Sequence, residues 1–514
     1  MTQNERVFLP WWKRILIIVA TLIVFAIQIA VFIAAFQFEL NREYHVAIYY
    51  IIQGIALLVV LHIIHKPILT SYKLTWSILI FLLPLPFILL YYLNHRSRRL
   101  PKGKHKKINQ VLSKYIISNG VIDEVSNTHP KVAKIAKIIN SCHNEPLYKN
   151  TKFTFLEDGD IKFKDFIEEL KLAKKYIFIE TFIIADGELL KELLPILKEK
   201  GKNGVEIKIL YDDLGSKTVL KPKTIKELTL IPNCEITNYN PLGLNINPAF
   251  NYRDHRKIIV IDGKIAYCGG DNLADEYIHK KERFGFWRDN CGKYEGEAVT
   301  TFVGLFLEMW YLSTKIVLDI NKYIGKTNVI NEESFVMPFG DGPSNNADPG
   351  YDLFRGLTTF ANKTLYISTP YLIIDDAIIE NIVLAARSGI DVRILLPAIP
   401  DKKTAFYLAK QRYGQILKAG GKIYEFTPGF NHAKNIIVDS ETAFIGTINL
   451  DYRSLFLHYE CGAVIFLDKE IKKMNDDFIS ACNKSHLVTY DEWKKRPWWQ
   501  KFIAYILYIL SPMF

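Results

Sequence analysis

The stretch Asp254-His255-Arg256-Lys257-Ile258-Ile259-Val260-Ile261-Asp262 is followed, six residues on, by Gly269-Gly270-Asp271-Asn272. The same spacing returns in His432-Ala433-Lys434-Asn435-Ile436-Ile437-Val438-Asp439, followed six residues on by Gly446-Thr447-Ile448-Asn449. Average residue usage produces a five-position match of this kind on the order of once in 10⁴ chains, and two copies far less often. The chain is therefore read as an internal duplication. Each copy offers a histidine, as nucleophile or acid, with a lysine and an asparagine suited to holding a phosphate. Two copies facing each other would form one phosphodiester-cleaving site.

The flanking text repeats as well. Residues 176–184 and 365–373 are apolar and β-branched and predict strands. Each precedes an amphipathic helical pattern, 187–200 and 376–388, that stops near glycine (Gly201 and Gly204, then Gly389). Further strands follow at 205–211 and 391–396. Strand, helix, strand, twice over, predicts parallel pairing with right-handed crossovers. The breaker-rich stretch 340–350 marks a linker between halves at about 325–350. The expected fold class is α/β: two duplicated lobes, 140–325 and 335–490, related by a pseudo-two-fold axis with the site at the seam.

Residues i and i+2 of a strand share a face, so His255 stands beside Lys257 and His432 beside Lys434. An ammonium next to each histidine disfavours a divalent cation and favours an anion such as phosphate, so neither a metal nor a cofactor is expected. The small residues before Asn272 and Asn449 would let backbone approach an anion closely, and the two amides add donors. Asp262 and Asp439 fall at odd spacing from their histidines and open turns (Asp262-Gly263, Asp439-Ser440), which predicts a structural role. Other carboxylates must then orient the histidines, and the candidates are Asp289 in Trp287-Arg288-Asp289 and Glu460 in His458-Tyr459-Glu460. His279, His458 and His486 are read as ordinary structural histidines.

Outside the repeats the chain is built for a membrane. Of 514 residues 49% are apolar, and the net charge is +11, which favours an anionic partner. Residues 15–36 carry no charge and are long enough to span a bilayer. Further apolar runs cover 46–64 and 74–93, the latter interrupted by Pro84 and Pro86, so two or three spans are expected within an anchor, 1–107. Residues 96–107 hold seven Lys/Arg and no acid. The positive-inside rule puts them, and the lobes after them, in the cytoplasm. Arg6, Lys13 and Arg14 ask for a cytoplasmic N-terminus too, which three spans cannot satisfy. At the other end, 491–514 joins Lys494-Lys495-Arg496 and Trp498-Trp499 to an apolar stretch too short to span. It reads as an interfacial segment, with docking on the protein's own core as the alternative. Because the positive charge clusters beside membrane segments, lipid headgroups are favoured over nucleic acid. The six cysteines (Cys142, Cys234, Cys268, Cys291, Cys461, Cys482) show no CxxC pair and read as free thiols in a reducing compartment.

These motifs resemble the phospholipase D superfamily, whose hallmark is the paired His-x-Lys-x4-Asp. Within it the chain is similar to bacterial cardiolipin synthases. The resemblance rests also on Trp287-Arg288-Asp289, Gly342-Pro343, Thr369-Pro370-Tyr371, residues 446–454 and the closing Ser511-Pro512. It departs at Asp254, where the family often has Asn. The resemblance implies a catalytic set of His255, Lys257, Asp262, His432, Lys434 and Asp439. It implies phosphatidyl transfer between two phosphatidylglycerols through a phosphohistidine, with His255 as nucleophile and His432 as acid and base. Lys257, Lys434, Asn272 and Asn449 would hold the phosphate. The rival readings are a membrane-bound phospholipase D that hydrolyses lipids to phosphatidate, a nucleic-acid phosphodiesterase, and a scaffold with a vestigial site. The sequence leaves the oligomeric state open.

Overall fold

The computed structural model describes residue 26 and residues 42–95, 119–241, 251–325, 333–345 and 347–513. Residue 26 apart, the expected span 15–36 lies outside these residues, as does the basic cluster 96–107. The chain divides into two compact units, a smaller one holding the N-terminal helices and a larger one holding both motifs.

In the smaller unit, the helix Arg42–Ile64 contains the one described segment long and apolar enough to cross a membrane, Val46–Ile64, with a mean hydropathy of 2.3. The run expected at 74–93 is divided. Pro84 and Pro86 carry no N–H, so the carbonyls of Ile80 and Leu82 lose their helical partners. The result is two helices, Thr70–Leu82 and Pro84–His95, of 13 and 12 residues, each too short to span alone. Tyr72, Trp76, Ile80 and Tyr91 bury against Ala56, Val60 and Ile63.

The larger unit holds two sheets. The first contains β1 (Thr151–Leu156), β2 (Tyr176–Thr181), β3 (Glu206–Asp212), β4 (Cys234–Tyr239), β5 (Ile258–Ile261) and β6 (Ile265–Gly269). A short β7 (Phe286–Arg288) stands outside it, and β8 (Cys291–Gly296) completes it in the order β1-β8-β6-β5-β2-β3-β4. The second begins with β9 (Phe335–Asp341) and β10 (Thr364–Ser368). It continues, past a two-residue β11 (Leu372–Ile373), with β12 (Asp391–Pro397) and β13 (Lys422–Phe426). After a short β14 (Gly429–Asn431) come β15 (Asn435–Val438), β16 (Thr442–Gly446), β17 (Leu450–Asp451), β18 (Glu460–Phe466) and β19 (Ser485–Val488). Its order is β19-β13-β12-β10-β15-β16-β18-β9, with β17 pairing β11 apart.

Both sheets are mixed, where the sequence predicted parallel pairing. β2, β3 and β4 are parallel, as are β10, β12 and β13, each connected through a helix. The motif strands β5 and β15 run antiparallel to β2 and β10. The predicted helices are present as Glu188–Lys202 and Asp376–Arg387. The stretch 340–350, read as linker, begins inside β9. Two helices the sequence reading left unassigned, Val121–Thr128 and Pro130–His143, precede the first lobe in sequence yet bury Ile122, Ile135 and Ile139 in the core of the second.

The lobes meet sheet to sheet, with β6 and β8 against β16 and β18. At this seam the Sγ atoms of Cys268 and Cys461 are 3.5 Å apart, and all six cysteines are free. The helix Val299–Thr314 is mostly apolar and buried along most of its length, as a helix between layers must be, with Glu308 as its one charged residue. It packs on β4, β5 and β9, so it touches both sheets. The helix Glu470–Asn483 of the second lobe returns the arrangement: Glu470 accepts from the Phe155 N–H of β1 at 3.0 Å.

Candidate active site

The terminal aspartate of each motif is a hairpin device. Asp262 and Gly263 have φ of 55° and 66°, and Asp439 and Ser440 have 54° and 57°. Two successive positive φ values make type I′ turns, which match the twist of the flanking strands. The Asp262 carboxylate accepts from the N–H groups of Lys174, Lys175 and Tyr176 at 2.7–3.0 Å. Asp439 does the same for Asn362, Lys363 and Thr364 and pairs with Lys131 at 2.6 Å. Burial raises the Asp439 pKa, but Lys131 and the amides outweigh it and hold the carboxyl at about 2. These hydrogen bonds tie each hairpin to the start of the neighbouring strand. Both carboxylates are taken up by backbone donors, so these contacts lend no support to the catalytic placement that the resemblance implies for Asp262 and Asp439.

The histidines are placed by a crossed contact between lobes. β7 of the first lobe pairs in parallel with β14 of the second, setting Arg288 beside Asn431. The His432 N–H then donates to the Arg288 carbonyl at 2.7 Å. Symmetrically, Asp254 bridges Tyr459, and the His255 N–H donates to the Tyr459 carbonyl at 2.8 Å. The residue after each bridging partner is a carboxylate. His255 Nδ1 lies 2.9 Å from both oxygens of Glu460, and His432 Nδ1 lies 2.5 Å from Asp289 Oδ2. Each histidine is thus oriented by a carboxylate of the opposite lobe. A proton held on Nδ1 by a carboxylate leaves Nε2 with a free lone pair.

The paired small residues serve these carboxylates. A Cβ on Gly270 would sit 2.2 Å from Asp289 Oδ1, so the position must be bare. At the equivalent place in the second lobe, the Thr447 hydroxyl donates to Glu460 Oε2. The Gly-Gly and Gly-Thr pairs therefore make room for, or bind, the orienting carboxylates, a role the sequence reading gave instead to anion approach.

The electrostatics suit an anion. Burial, then the ammonium charges of Lys257 and Lys434, holds the His255 pKa well below the ordinary imidazole range. Burial and the same two lysines do so for His432. Burial also pulls both lysines down, Lys434 to about 8, and pushes Asp289 up to about 6. Lys257 Nζ donates to the His255 carbonyl at 2.6 Å, and Lys434 Nζ donates to the His432 carbonyl. Each ammonium has three hydrogens, so hydrogens remain for a ligand. Asn272 is fixed by its lobe: Oδ1 accepts from the Ile183 N–H at 3.1 Å, and Nδ2 donates to the Tyr277 hydroxyl at 2.6 Å, leaving one amide hydrogen. Asn449 Oδ1 is buried without a partner.

One residue read as structural belongs to the site. The His458 ring lies 5.6 Å from the His255 ring, with Nδ1 3.7 Å from Glu460 Oε1, and neither ring nitrogen has a hydrogen-bond partner. Burial lowers its pKa to about 4, so it is neutral. Its counterpart is Trp287, 5.3 Å from His432. Aligning Trp287-Arg288-Asp289 with His458-Tyr459-Glu460 is the signal that would have found it. His279 and His486 instead pair with Asp158 and Glu492 away from the site. His255, His458 and Glu460 have ligand atoms within 4.8 Å of one another, the one such grouping among the described residues. It is a poor cation cradle, because His255 Nδ1 is committed to Glu460 and two ammonium groups act on the same ring.

The family model described as "Cardiolipin synthase, PLD-like domain" matches twice, at residues 166–291 and 357–482, one copy on each motif. A protein of Halalkalibacterium halodurans named cardiolipin synthase is 33% identical over 86% of this chain and 88% of its own length. The chain belongs to the cardiolipin synthase family. A family member from Bacillus anthracis, named cardiolipin synthase 2, is 34% identical over 86% of this chain and 87% of its own. Among solved structures, a phosphatidylserine synthase of Haemophilus influenzae covers 74% of this chain and 98% of its own, with a TM-score of 0.57 and 16% identity. That likeness establishes the two-lobed phospholipase D-like fold.

Proposed function

We propose that the protein is a cardiolipin synthase, moving a phosphatidyl group from one phosphatidylglycerol to a hydroxyl of another and releasing glycerol. The observation that carries this reading is the crossed pair of carboxylate-oriented, neutral histidines between two buried lysines, in a chain a third identical to cardiolipin synthases over most of its length.

His255 Nε2 attacks phosphorus, the N–P bond forms, and the P–O bond to glycerol breaks. The departing oxygen takes a proton from His432. His432 then removes the proton of the incoming hydroxyl, whose oxygen bonds phosphorus as the N–P bond breaks. One group thereby serves as acid and then base. Lys257, Lys434, the spare hydrogen of Asn272 and the Asn449 amide stabilise the equatorial oxygens. Both histidines are neutral in the empty site, so the acid must gain a proton. A bound phosphodiester offsets the two ammonium charges that depress His432, so substrate binding is coupled to proton uptake. The chemistry requires no metal.

The anchor would be multi-pass, with the lobes on the cytoplasmic side beside the basic cluster 96–107. Trp498, Phe502 and Tyr505 of the helix Trp498–Leu510 are exposed, as a segment lying in the headgroup region requires. A membrane-surface site concentrates the lipid acceptor and favours transfer over hydrolysis. Nucleic acid is not a substrate.

The test is product analysis from phosphatidylglycerol vesicles in EDTA, with wild type beside His255→Ala and His432→Ala. Cardiolipin and glycerol from wild type alone are expected. Phosphatidate without cardiolipin would turn the reading to a hydrolase, and turnover by either variant would displace the site.

A further inference from the structure

The two lobes solve one packing problem differently just before each histidine. In the second lobe the preceding residue is Asn431. Its Nδ2 donates to Ser368 Oγ and the Leu395 carbonyl, each at 3.1 Å, and its Oδ1 accepts from Arg288 at 2.8 Å. In the first lobe the equivalents of Asn431 and Ser368 are Asp254 and Glu180. An amide beside a hydroxyl has become two carboxyl groups.

Both are buried, 0% and 1% exposed, and they occupy the places that Asn431 and Ser368 hold in contact in the second lobe. Asp254 Oδ2 and both Glu180 oxygens are buried and receive no donor. The cations nearby are already matched. Arg253 is bound by Asp212 through contacts of 2.8–3.1 Å. Arg256 is paired with Glu308 at 2.8 Å and donates to the Glu460 carbonyl at 3.0 Å. Lys162 and Lys257 line the cavity that Glu180 also lines, but Lys162 is paired with Asp271 and Lys257 donates to the His255 carbonyl. The remaining titratable neighbours are the Cys461 thiol and the Tyr239 phenol, the latter kept neutral by burial. Two buried carboxyl groups in contact, with no cation of their own, cannot both ionise.

We propose that Asp254 and Glu180 hold one proton between them, and that this shared proton fixes the turn presenting His255. The proton does in the first lobe what the Asn431 amide hydrogen does in the second. It is a positioning device: neither carboxyl touches substrate. Its position matters because Asp254 bridges Tyr459, whose neighbour Glu460 orients His255. Burial raises both carboxyl groups, Asp254 to about 7 and Glu180 well above the ordinary carboxyl range, with the Asp254 charge raising Glu180 further, so Asp254 ionises first and the pair keeps one proton above neutral pH. Without that proton two buried like charges would push the turn apart.

The catalytic arm of the test rests on the transferase reading, and the spectroscopic arm does not. Infrared spectra of the full-length protein would be recorded at mildly alkaline pH for wild type and for the double variant Asp254→Asn, Glu180→Gln. One protonated-carboxyl band should vanish in the double variant. No band lost means both groups are ionised, and two bands lost in the double means both are protonated; either overturns the proposal. For activity, Asp254→Ala should lower kcat about thirtyfold, the worth of a buried network bond. Asp254→Asn, which restores the second lobe's chemistry, should recover most of it. An Asp254→Asn protein no more active than Asp254→Ala would refute the positioning role. Wild type yielding only phosphatidate would refute the transferase reading and leave the infrared result to stand alone.

Discussion

Replacing Asp289 by asparagine tests the crossed orientation of the histidines. The carboxylate is fully buried and sits 2.5 Å from His432 Nδ1, with Lys434 as its main charge partner. A hydrogen bond to a charged group contributes about 1.5–3 kcal/mol. If His432 needs it only while carrying the proton in transit, the whole of that falls on kcat, a loss of about 10- to 150-fold. The upper end is expected, because an asparagine NH₂ turned toward Nδ1 would move the ring proton to Nε2 and block proton removal from the acceptor. A second effect has a definite sign. Asp289 is the strongest charge holding the Lys434 pKa up, against the burial that lowers it. Without Asp289 the Lys434 pKa falls below about 8, so the ammonium is lost at lower pH and the alkaline limb moves down. The assay is the pH dependence of kcat for cardiolipin formation in mixed micelles, with melting temperature as a check on folding. A folded Asp289→Asn protein with kcat within threefold of wild type and an unmoved limb would refute the reasoning.

Three further outcomes follow from the same geometry. Asp439→Ala removes three backbone hydrogen bonds and an ion pair remote from the chemistry, so it should cost about 2–4 kcal/mol of stability with kcat at low temperature nearly intact; a kcat collapse in a folded protein would return Asp439 to the catalytic set. His458→Phe keeps a ring over His255 but deletes two buried unpartnered nitrogens; the melting temperature should rise while kcat/KM falls about tenfold, and calorimetry beside kinetics would expose a purely structural histidine. Binding of a non-hydrolysable phosphodiester lipid should take up close to one proton near neutral pH, read as a buffer-dependent calorimetric enthalpy; buffer independence would mean that His432 is protonated before substrate arrives.

The fold was legible where physics is local. The two βαβ patterns, the turns at Asp262 and Asp439 and the shared faces of His255–Lys257 and His432–Lys434 all follow from side-chain period and turn chemistry. Pairing direction was not, because the return of β5 against β2 depends on contacts far apart in sequence. Nor was the placement of Val121–Thr128 and Pro130–His143 on the second lobe, since an amphipathic pattern states that a face is buried and not against what. In the site, Asp289 and Glu460 could be named as carboxylates close to the motifs, yet which served which histidine required the bridges Arg288–Asn431 and Tyr459–Asp254. The place of His458 beside His255 was not legible, because a lone histidine has no local mark of its surroundings; only its alignment with Trp287 carries the information. The acid pair lay behind two letters, Asp254 and Glu180, where the second copy carries Asn431 and Ser368.

The exchange of carboxylates between lobes makes the reaction centre a coincidence device. Neither half holds a competent histidine of its own, so a displacement of one lobe by the length of a hydrogen bond disarms both rings together. Two identical lobes associating as separate chains would meet the same requirement, each lending its acid to the other. Within one polypeptide the two copies need not match: the first lobe holds the two acids and the indole of Trp287, the second the amide of Asn431 and the imidazole of His458.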